Sequence, residues 1–360
     1  MSETFYFTRE QLEQAVYDLC TATGSPDEEA DLVAKRLVKS NLTGHPSHGV
    51  IRIPRYMEMV RAGMLNPGAK PGFLYDKGAT VLVDGHRGYG QVIAEKSIQV
   101  AIERGLAHGV AAVGMTNLGH IGRLADYSVL AAEADCIGII FTATGGASLL
   151  VAPFGAKSRR MGTNPISIAI PSEREYPIVF DMATSVFAEG KLMVMIDSGR
   201  AAPDETVLDN EGKPTTNPAD FYEGGALLPL GGEQGYKGYL LNFMIEVLAG
   251  ILTGGGYVGR DSKPLFSNCS MMILIHVEQF RKLSDFKLDL EKFIDFIKTS
   301  PTREGQEVLY PGEIEFRQET RMLKAGIPLP DKTVDKIQND LDRLGVPTQL
   351  RELGRKEPFK

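Results

Sequence analysis

Side chains that could bind a carboxylate and move a proton are concentrated in one short segment near the N-terminus. It holds His45, Ser47, His48, Arg52 and Tyr56, with Gly and Pro residues between them. His48, Arg52 and Tyr56 are four residues apart, so an α-helix would place them on one face. Arg52 can bind a carboxylate bidentately, His48 can exchange a proton near neutral pH, and Tyr56 can add a hydrogen bond. The set suits a small acid that carries a carbonyl group.

A second candidate histidine, His120, lies in a glycine-rich stretch at residues 117–123. The stretch follows an apolar run, residues 110–115, that predicts a strand, and it precedes a predicted helix. Ligands commonly bind at the carboxyl ends of strands in α/β proteins, and the flanking glycines would let the backbone approach a ligand closely. A histidine that only caps the helix is the alternative.

Two clusters of small polar residues lie at the ends of further predicted strands. Residues 163–165 precede the apolar run 166–171, and residues 181–185 follow the run 178–182. Such residues can offer N–H and hydroxyl groups to phosphate or ribose. Alone, each cluster is also typical of a turn or a helix cap.

The most obvious dinucleotide-binding signature is incomplete. Gly88 and Gly90 lie between a predicted strand and a predicted helix, but Ile93 stands where a third glycine would be. A turn that needs positive φ is therefore preferred over a phosphate-binding loop. Neither a P-loop motif nor G-x-S-x-G occurs in the sequence, so NTPase and α/β-hydrolase functions lose their main support.

Composition excludes several classes of protein. The chain has 360 residues, a formal net charge of −7 and only three cysteines, which do not form a zinc-binding pattern. An acidic chain without a basic run is a poor candidate for nucleic-acid binding. The first residues lack a signal peptide, and no apolar stretch is long enough to cross a membrane. We therefore expect a cytoplasmic protein without a metal site, a nucleic-acid partner or a membrane partner.

The sequence patterns around these residues predict a mixed α/β fold that positions them. Thr8 and Gln11 form a capping box, and helical periodicity follows it to about residue 42. From about residue 70, short buried strands alternate with alanine-rich helices. Residues 197–235 are poor in apolar residues and are predicted to form a long functional or subunit-crossing loop.

Five motifs then occur in a fixed order along nearly the whole chain. They are His45-Pro-Ser-His48-Gly-Val with Arg52 and Tyr56, Gly162-Thr-Asn-Pro165, Asp181-Met-Ala-Thr-Ser185, Tyr236-Lys-Gly238 and Tyr310-Pro-Gly-Glu313. In this order they resemble the malate/L-lactate dehydrogenase family that lacks a Rossmann domain. Relatives in that family include ureidoglycolate and sulfolactate dehydrogenases, diketogulonate reductase and cyclic ketimine reductases.

The resemblance implies an enzyme that uses NAD or NADP to interconvert a small 2-oxo acid and its 2-hydroxy acid. It also implies a homodimer or larger homo-oligomer, and a non-Rossmann cofactor domain with a mixed sheet beside a helical domain built from both ends of the chain. The predicted segments are a helical segment with the His48 motif (1–70), an α/β segment (71–116), the NAD(P)-binding domain (117–300) and a C-terminal segment that packs back on the helical domain (301–360).

The resemblance also implies roles for individual residues. His48 matches a proton donor, Ser47, Arg52 and Tyr56 match substrate-contacting positions, and His120 matches a histidine that acts as acid or base in some members. We favour His48 as the acid and His120 as a polariser or substrate contact. The residues that match cofactor-contacting positions are Thr144, Thr163, Asn164, Pro165, Phe180, Asp181, Met182, Ala183, Thr184, Ser185, Lys237, Gly238, Gly312 and Glu313.

Three alternatives remain open from the sequence. A ketimine reductase would use the same cofactor and would also need an anchored carboxylate and a proton donor. A metal-dependent hydrolase could use His45, His48 and His120, although Pro46 spoils a helical histidine pair and H-E-x-x-H is absent. A binding protein without catalytic activity is the third alternative.

Overall fold

A computed structural model describes residues 3–146, 148–260 and 267–359, with only the backbone described at residues 197 and 198. The helices are α1 (Arg9–Ala22), α2 (Asp27–Leu42), α3 (Ile53–Arg61), α4 (Gly90–His108), α5 (Ala125–Glu133), α6 (Glu189–Ser198), α7 (Tyr236–Ile245), α8 (Leu283–Lys298), α9 (Glu313–Ala325), α10 (Asp331–Arg343) and α11 (Leu350–Leu353). The strands are β1 (Thr4–Phe7), β2 (Gly72–Lys77), β3 (Thr80–Asp84), β4 (Val110–Leu118), β5 (Cys136–Ala143), β6 (Ile166–Ile170), β7 (Ile178–Met182), β8 (Val207–Leu208), β9 (Pro214–Thr215), β10 (Ala226–Leu227), β11 (Asn268–His276) and β12 (Ile327–Pro330).

A seven-stranded mixed sheet forms the centre of the molecule, in the order β2-β3-β4-β11-β5-β6-β7. Only β3 and β4 pair in parallel, and every other neighbouring pair is antiparallel. Helices α4 and α5 cover one face, and α7 with its π-helical continuation, Glu246–Ile251, packs on the other. The central strands are therefore covered on both faces, which is why their sequences are almost continuously apolar.

A helical body with its own hydrophobic core lies beside the sheet. Helices α1, α2, α3 and α10 surround buried side chains such as Leu19, Val33, Met57 and Leu341. Strand β1 pairs antiparallel with β12, so the two ends of the chain are joined by backbone hydrogen bonds. The predicted mixed fold, with a helical part built from both ends, is confirmed, and so is the capping box at Thr8. The segment boundaries stay a prediction.

The prediction of a long loop over residues 197–235 is wrong. This stretch forms a small antiparallel sheet in the order β10-β8-β9. Val207, Phe221 and Leu227 from the stretch pack with Val151 and Leu192 in a separate small core. Too few apolar residues lie in the stretch itself to predict this core, because part of it comes from distant segments.

No single helix carries His48, Arg52 and Tyr56. Residues Pro46–His48 and Val50–Arg52 form two separate 3₁₀ turns, and α3 begins only at Ile53. The cause lies in α2, where the Asn41 side chain accepts a hydrogen bond from the Val50 amide at 2.9 Å. A Cβ atom on Gly49 would lie 2.0 Å from the Asn41 Oδ1 atom, so only glycine fits there. Asn41 thus sets the path of the backbone that carries His48.

We expect Asn41→Ala to lower the free energy of unfolding by about 1–3 kcal/mol, because the buried Val50 N–H loses its acceptor. Chemical denaturation of purified protein measures the change. Asn339→Ala is the matched control, since Asn339 is exposed on α10. A loss no larger than in the control would show that the Asn41 contact does not hold this segment.

Candidate active site

The residues that precede α3 bring Ser47, His48 and Arg52 together. The Ser47 hydroxyl lies 3.1 Å from Nδ1 of His48, and Nε of Arg52 donates to the Ser47 carbonyl oxygen at 2.5 Å. The Arg52 side chain therefore folds back over the turn that carries His48. All three side chains are half-buried.

His120 follows β4 in a segment held by backbone contacts. The Ile121 amide donates to Oδ1 of Asn268 at 2.8 Å, which ties the segment to β11. A Cβ atom on Gly90 would lie 2.4 Å from the carbonyl oxygens of both Gly119 and His120. The glycines of the incomplete dinucleotide motif thus allow two chain segments to touch, and the positive φ angles of that turn fall on His86 and Arg87 instead.

A chain of hydrogen bonds brings the two candidate histidines into one site. Gln91 Nε2 donates to the Tyr56 hydroxyl at 2.8 Å, and this hydroxyl lies 2.7 Å from Nδ1 of His120. The rings of His48 and His120 stack with their centroids 5.5 Å apart. Residues separated by more than sixty positions in the sequence therefore share one polar cluster beside the sheet.

The cluster is electropositive. Burial, together with the nearby positive charges of Arg52, His45 and Arg123, lowers the pKa of His48 to about 3. Burial also lowers the pKa of His120 well below its ordinary value, again helped by Arg52. Burial raises the pKa of the Tyr56 hydroxyl. Near neutral pH the site therefore contains two neutral imidazoles, a neutral phenol and one fixed cation.

The cation at this site, Arg52, has no carboxylate partner among the described residues. Among the described residues, its side chain donates one hydrogen bond, to the Ser47 carbonyl oxygen. Gly190, near the start of α6, covers this side of the site, and a Cβ atom there would lie 3.0 Å from the Ser47 Cβ atom and 3.9 Å from Nη2 of Arg52. The remaining guanidinium nitrogens are thus free to bind an anion.

The other histidine of the N-terminal motif, His45, lies apart from this cluster. Nε2 of His45 is 3.4 Å from a carboxylate oxygen of Glu315. Within the described ranges, no group of three or more His, Cys, Asp or Glu side chains is arranged to hold a metal ion. The geometry therefore gives no support to the hydrolase alternative.

Several residues predicted to contact the cofactor form hydrogen bonds with other groups of the protein. Nδ2 of Asn164 donates to the side chains of Asn242 and Glu246 at 2.9 and 2.7 Å. Glu246 also accepts from the Val258 amide at 2.9 Å. This network explains the two polar residues within the apolar α7 segment. It fixes the turn that contains Thr163 and Pro165.

The residues after β7 also make internal contacts. Asp181 accepts a hydrogen bond from the Ala125 amide at 2.8 Å, so its carboxylate caps α5. The Thr184 hydroxyl donates to the Thr163 carbonyl oxygen at 2.9 Å, and the Ser185 hydroxyl donates to the Phe187 carbonyl oxygen at 2.9 Å. Phe180 and Met182 pack against the apolar core under α7, and Ala183 is half-buried at the end of β7.

Among the remaining residues predicted to contact the cofactor, Lys237 is exposed, whereas Glu313 is ion-paired with other side chains. Lys237 is exposed at the start of α7, where Gly238 lets the helix pack against the Leu230 backbone. Glu313 is paired with Lys298 at 2.7 Å and with Arg317 at 2.5 Å, and Gly312 before it has positive φ. Lys237 is available to a ligand, whereas the Glu313 carboxylate is already neutralised.

One hydroxyl oxygen and one amide oxygen beside these residues have no hydrogen-bond partner within the described part of the chain. They are Oγ1 of Thr144 and Oδ1 of Asn164, and both atoms are buried. A Cβ atom on Gly162 would lie 3.3 Å from the first and 2.7 Å from the second. The missing side chain of Gly162 thus leaves space beside two unsatisfied acceptors.

Sequence reasoning missed Gln91, Asn41 and Gly190. Gln91 stood next to the glycine motif, but its partner Tyr56 is 35 residues away in sequence. Asn41 opened the N-terminal motif without an assigned role. Gly190 carried no signal, because a glycine before a helix is common in loops.

Comparison with known proteins identifies the family. A profile described as malate/L-lactate dehydrogenase matches residues 7–338. This chain belongs to the malate/L-lactate dehydrogenase family. It is 36% identical over 346 residues to a malate dehydrogenase of Pyrococcus horikoshii, with 94% of this chain and 95% of the relative covered. It is 34% identical over 343 residues to an L-sulfolactate dehydrogenase of Methanothermobacter thermautotrophicus, with 94% and 97% covered.

Solved structures of family members show the same fold. The structure of malate dehydrogenase from Pyrococcus horikoshii matches with a TM-score of 0.86 at 33% identity, covering 96% of this chain and 99% of that one. The structure of Δ1-piperideine-2-carboxylate reductase from Pseudomonas syringae matches with a TM-score of 0.78 at 27% identity, covering 93% and 99%. Membership in this family makes the protein an oxidoreductase related to 2-hydroxyacid dehydrogenases. Within the described part of the chain, no helix has the length and apolar character of a membrane span.

The lowered pKa of His48 predicts how stability depends on pH. Below an ordinary histidine pKa of about 6.5, the unfolded chain takes up a proton that native His48 does not, so stability falls with falling pH. Between about pH 7.5 and about pH 5, we expect His48→Gln to lose about 1–2 kcal/mol less unfolding free energy than the parent protein. Urea unfolding at both pH values measures this difference. His86→Gln is the control because His86 is exposed, and equal slopes in the two variants would refute the expectation.

Proposed function

We propose that this protein is an NAD(P)-dependent dehydrogenase that interconverts a small 2-oxo acid and its 2-hydroxy acid. The observation that carries the proposal is the unpaired, half-buried guanidinium of Arg52 beside two neutral imidazoles. Such a cation favours a carboxylate ligand, and the imidazoles can exchange a proton with a neighbouring oxygen. The hydroxyacid dehydrogenases among the relatives support this reaction class.

In this proposal Arg52 anchors the substrate carboxylate through its free nitrogens. Ser47 and Tyr56 contact the substrate from the two sides of Arg52. Fixing the carboxylate also fixes the adjacent carbon, and positioning of this kind can lower a barrier by about 7–11 kcal/mol. The small space left at Gly190 restricts the size of the group beside Arg52.

We assign the proton transfer to His120, with His48 as the neighbouring substrate contact. This reverses the preference drawn from the sequence. The Tyr56 hydroxyl, itself hydrogen-bonded to Gln91, lies 2.7 Å from Nδ1 of His120 and leaves Nε2 for the substrate, whereas the Ser47 hydroxyl lies 3.1 Å from Nδ1 of His48. A bound carboxylate offsets the charge of Arg52, which is one cause of the low pKa of His120. The pKa of His120 therefore rises on binding, and the imidazole takes up a proton. It donates that proton to the substrate oxygen during reduction and accepts it during oxidation.

The residues beside β5 and β7 fit a nicotinamide dinucleotide. When bound, NAD or NADP supplies or accepts the hydride at the substrate carbon. The unsatisfied oxygens of Thr144 and Asn164 and the open space at Gly162 offer hydrogen bonds to a polar ligand. We propose that the cofactor is held by this turn with Thr163 and Pro165, by residues 180–185, by Lys237 and Gly238, and by Gly312 and Glu313. The engaged side chains among them would contribute backbone groups and shape.

We also propose that the protein is a homodimer or larger homo-oligomer. Large apolar side chains are exposed on two helices, including Leu240 and Phe243 on α7 and Phe293 and Phe296 on α8. Exposed apolar surface of this extent is typical of an interface between subunits.

A cyclic ketimine reductase is the second candidate function. The similarity to Δ1-piperideine-2-carboxylate reductase supports it, and an imine acid would place the same demands on Arg52 and a proton donor. The absorbance of NADH and NADPH decides between the two when each is mixed with pyruvate, oxaloacetate, 2-oxoglutarate, sulfopyruvate and cyclic imine carboxylates. Oxidation of either cofactor by oxo acids supports the dehydrogenase, and oxidation by imines alone supports the reductase. Turnover of neither class would refute both.

Replacing the proposed carboxylate anchor should weaken binding and catalysis together. We expect Arg52→Ala to raise KM and lower kcat, with kcat/KM falling roughly tenfold to a hundredfold, since hydrogen bonds to charged groups contribute about 1.5–3 kcal/mol. Steady-state kinetics with the best substrate from the screen measure the effect. Arg55→Ala is the control, because Arg55 is exposed and pairs with Glu58 at the surface. An unchanged kcat/KM in Arg52→Ala would remove Arg52 from the site.

Replacing each histidine should rank their roles. We expect His120→Gln to lower kcat by about 10²–10⁴-fold, the usual contribution of a positioned acid, and His48→Gln to lower it less. Circular dichroism of both variants checks that the fold is kept. The opposite ranking would assign the proton to His48.

A further inference from the structure

Gln91 lies behind the proposed site and is hydrogen-bonded to it through Tyr56. It is the second residue of α4 and is 1% exposed. Its Nε2 atom donates to the Tyr56 hydroxyl at 2.8 Å, whereas its Oε1 atom is buried and has no hydrogen-bond partner among the described residues. Burying an amide oxygen without a hydrogen bond costs free energy. The hydrogen bond that Gln91 donates to Tyr56 is therefore the interaction through which this side chain can act on the site.

The direction of this hydrogen bond determines the state of His120. The Tyr56 hydroxyl has a single proton and two side-chain neighbours, Gln91 and His120. Because Gln91 donates to its oxygen, the Tyr56 proton is directed to Nδ1 of His120. The neutral imidazole must then carry its own proton on Nε2. With an acceptor in place of the amide N–H, the Tyr56 proton would turn away, and Nδ1 of His120 would become the donor.

We propose that Gln91 is a positioning residue that controls, through the Tyr56 hydroxyl, which ring nitrogen of His120 carries the proton. The importance of this control for turnover rests on the proposed function, because only then does His120 exchange a proton with a substrate. The state of the ring itself does not rest on it.

Glutamine suits this role better than a simple donor or acceptor would. When His120 becomes protonated on both nitrogens, Nδ1–H donates to the Tyr56 oxygen, and the Tyr56 proton needs a new acceptor. Rotation of the Gln91 amide brings its partnerless Oε1 atom to the hydroxyl. The same side chain can thus satisfy Tyr56 before and after His120 takes up a proton.

The surroundings make His120 sensitive to a change at this position. The charged and titratable groups that face His120 and Tyr56 are Arg52, His48, Cys20, Tyr127 and Tyr89, whose ring packs against Tyr56. No carboxylate within the described ranges contributes to the pKa of either residue. A carboxylate introduced at position 91 would therefore be the first anion in the cluster.

The test compares Gln91→Glu with Gln99→Glu in the full-length protein. Gln99 lies on the same helix and is exposed, so this control makes the same chemical change away from the cluster. Nitrogen-15 spectra of the imidazole rings report which nitrogen is protonated, and His120→Gln identifies the His120 signals. The spectra and their assignment require neither substrate nor cofactor.

We expect His120 to be neutral with the proton on Nε2 in the parent protein and in Gln99→Glu. In Gln91→Glu we expect Nδ1 to be protonated, and the midpoint of the His120 titration to rise by about one pH unit or more. The pH dependence of kcat/KM should move upward with it. Unchanged His120 signals in Gln91→Glu would overturn the inference.

Gln91→Leu separates a structural role from control of the proton. It removes both donor and acceptor at similar size, so kcat should fall at least about tenfold while the two neutral forms of His120 become mixed. If the spectra respond as expected but no oxo acid or imine is turned over, the proposed function fails and the positioning role stands. If turnover occurs and the His120 signals are the same in the parent protein and in the variants at position 91, the positioning role fails and the function stands.

Discussion

The hydrogen bond between Tyr56 and His120 joins two parts of the molecule that have separate hydrophobic cores. Tyr56 is packed in the core of the helical body, whereas His120 follows a strand of the central sheet. A hydrogen bond of this kind weakens once its atoms separate by a few tenths of an ångström beyond about 3.2 Å. The relative position of helical body and sheet is therefore a condition for the site.

Arg52 differs from buried ionisable groups elsewhere in the protein that have partners. Arg123 is paired with Asp126, Glu313 is paired with Lys298, and the carboxylates of Asp181 and Glu246 accept hydrogen bonds from amide groups. Arg52 has no carboxylate partner among the described residues, so part of its desolvation cost is not offset. Local rules of stability are often broken where a ligand completes the arrangement. An anionic substrate would supply the missing charge and would stabilise the same residues that bind it.

The sequence predicted those features that depend on the residues of a single segment. Residue types and motif order predicted Ser47, His48, Arg52 and Tyr56 as one group, and periodicity predicted the strands near the sheet centre. The path of the His48 segment could not be predicted, because it depends on Asn41 filling the space beside Gly49. Nor could the Gln91 contact, since a buried glutamine reaches Tyr56 only after α3 and α4 have packed. Long-range packing, rather than local pattern, decides these features.

The position of β11 in the sheet has a consequence for how the protein is synthesised. This strand lies between β4 and β5, yet it is made more than a hundred residues after them. Until it emerges from the ribosome, β4 and β5 each expose an unpaired edge, which invites pairing with other chains. The helical body is completed later still, because β1 pairs with β12, which lies near the end of the chain. A nascent chain therefore cannot complete the central sheet or the β1–β12 pair until most of the chain has been made.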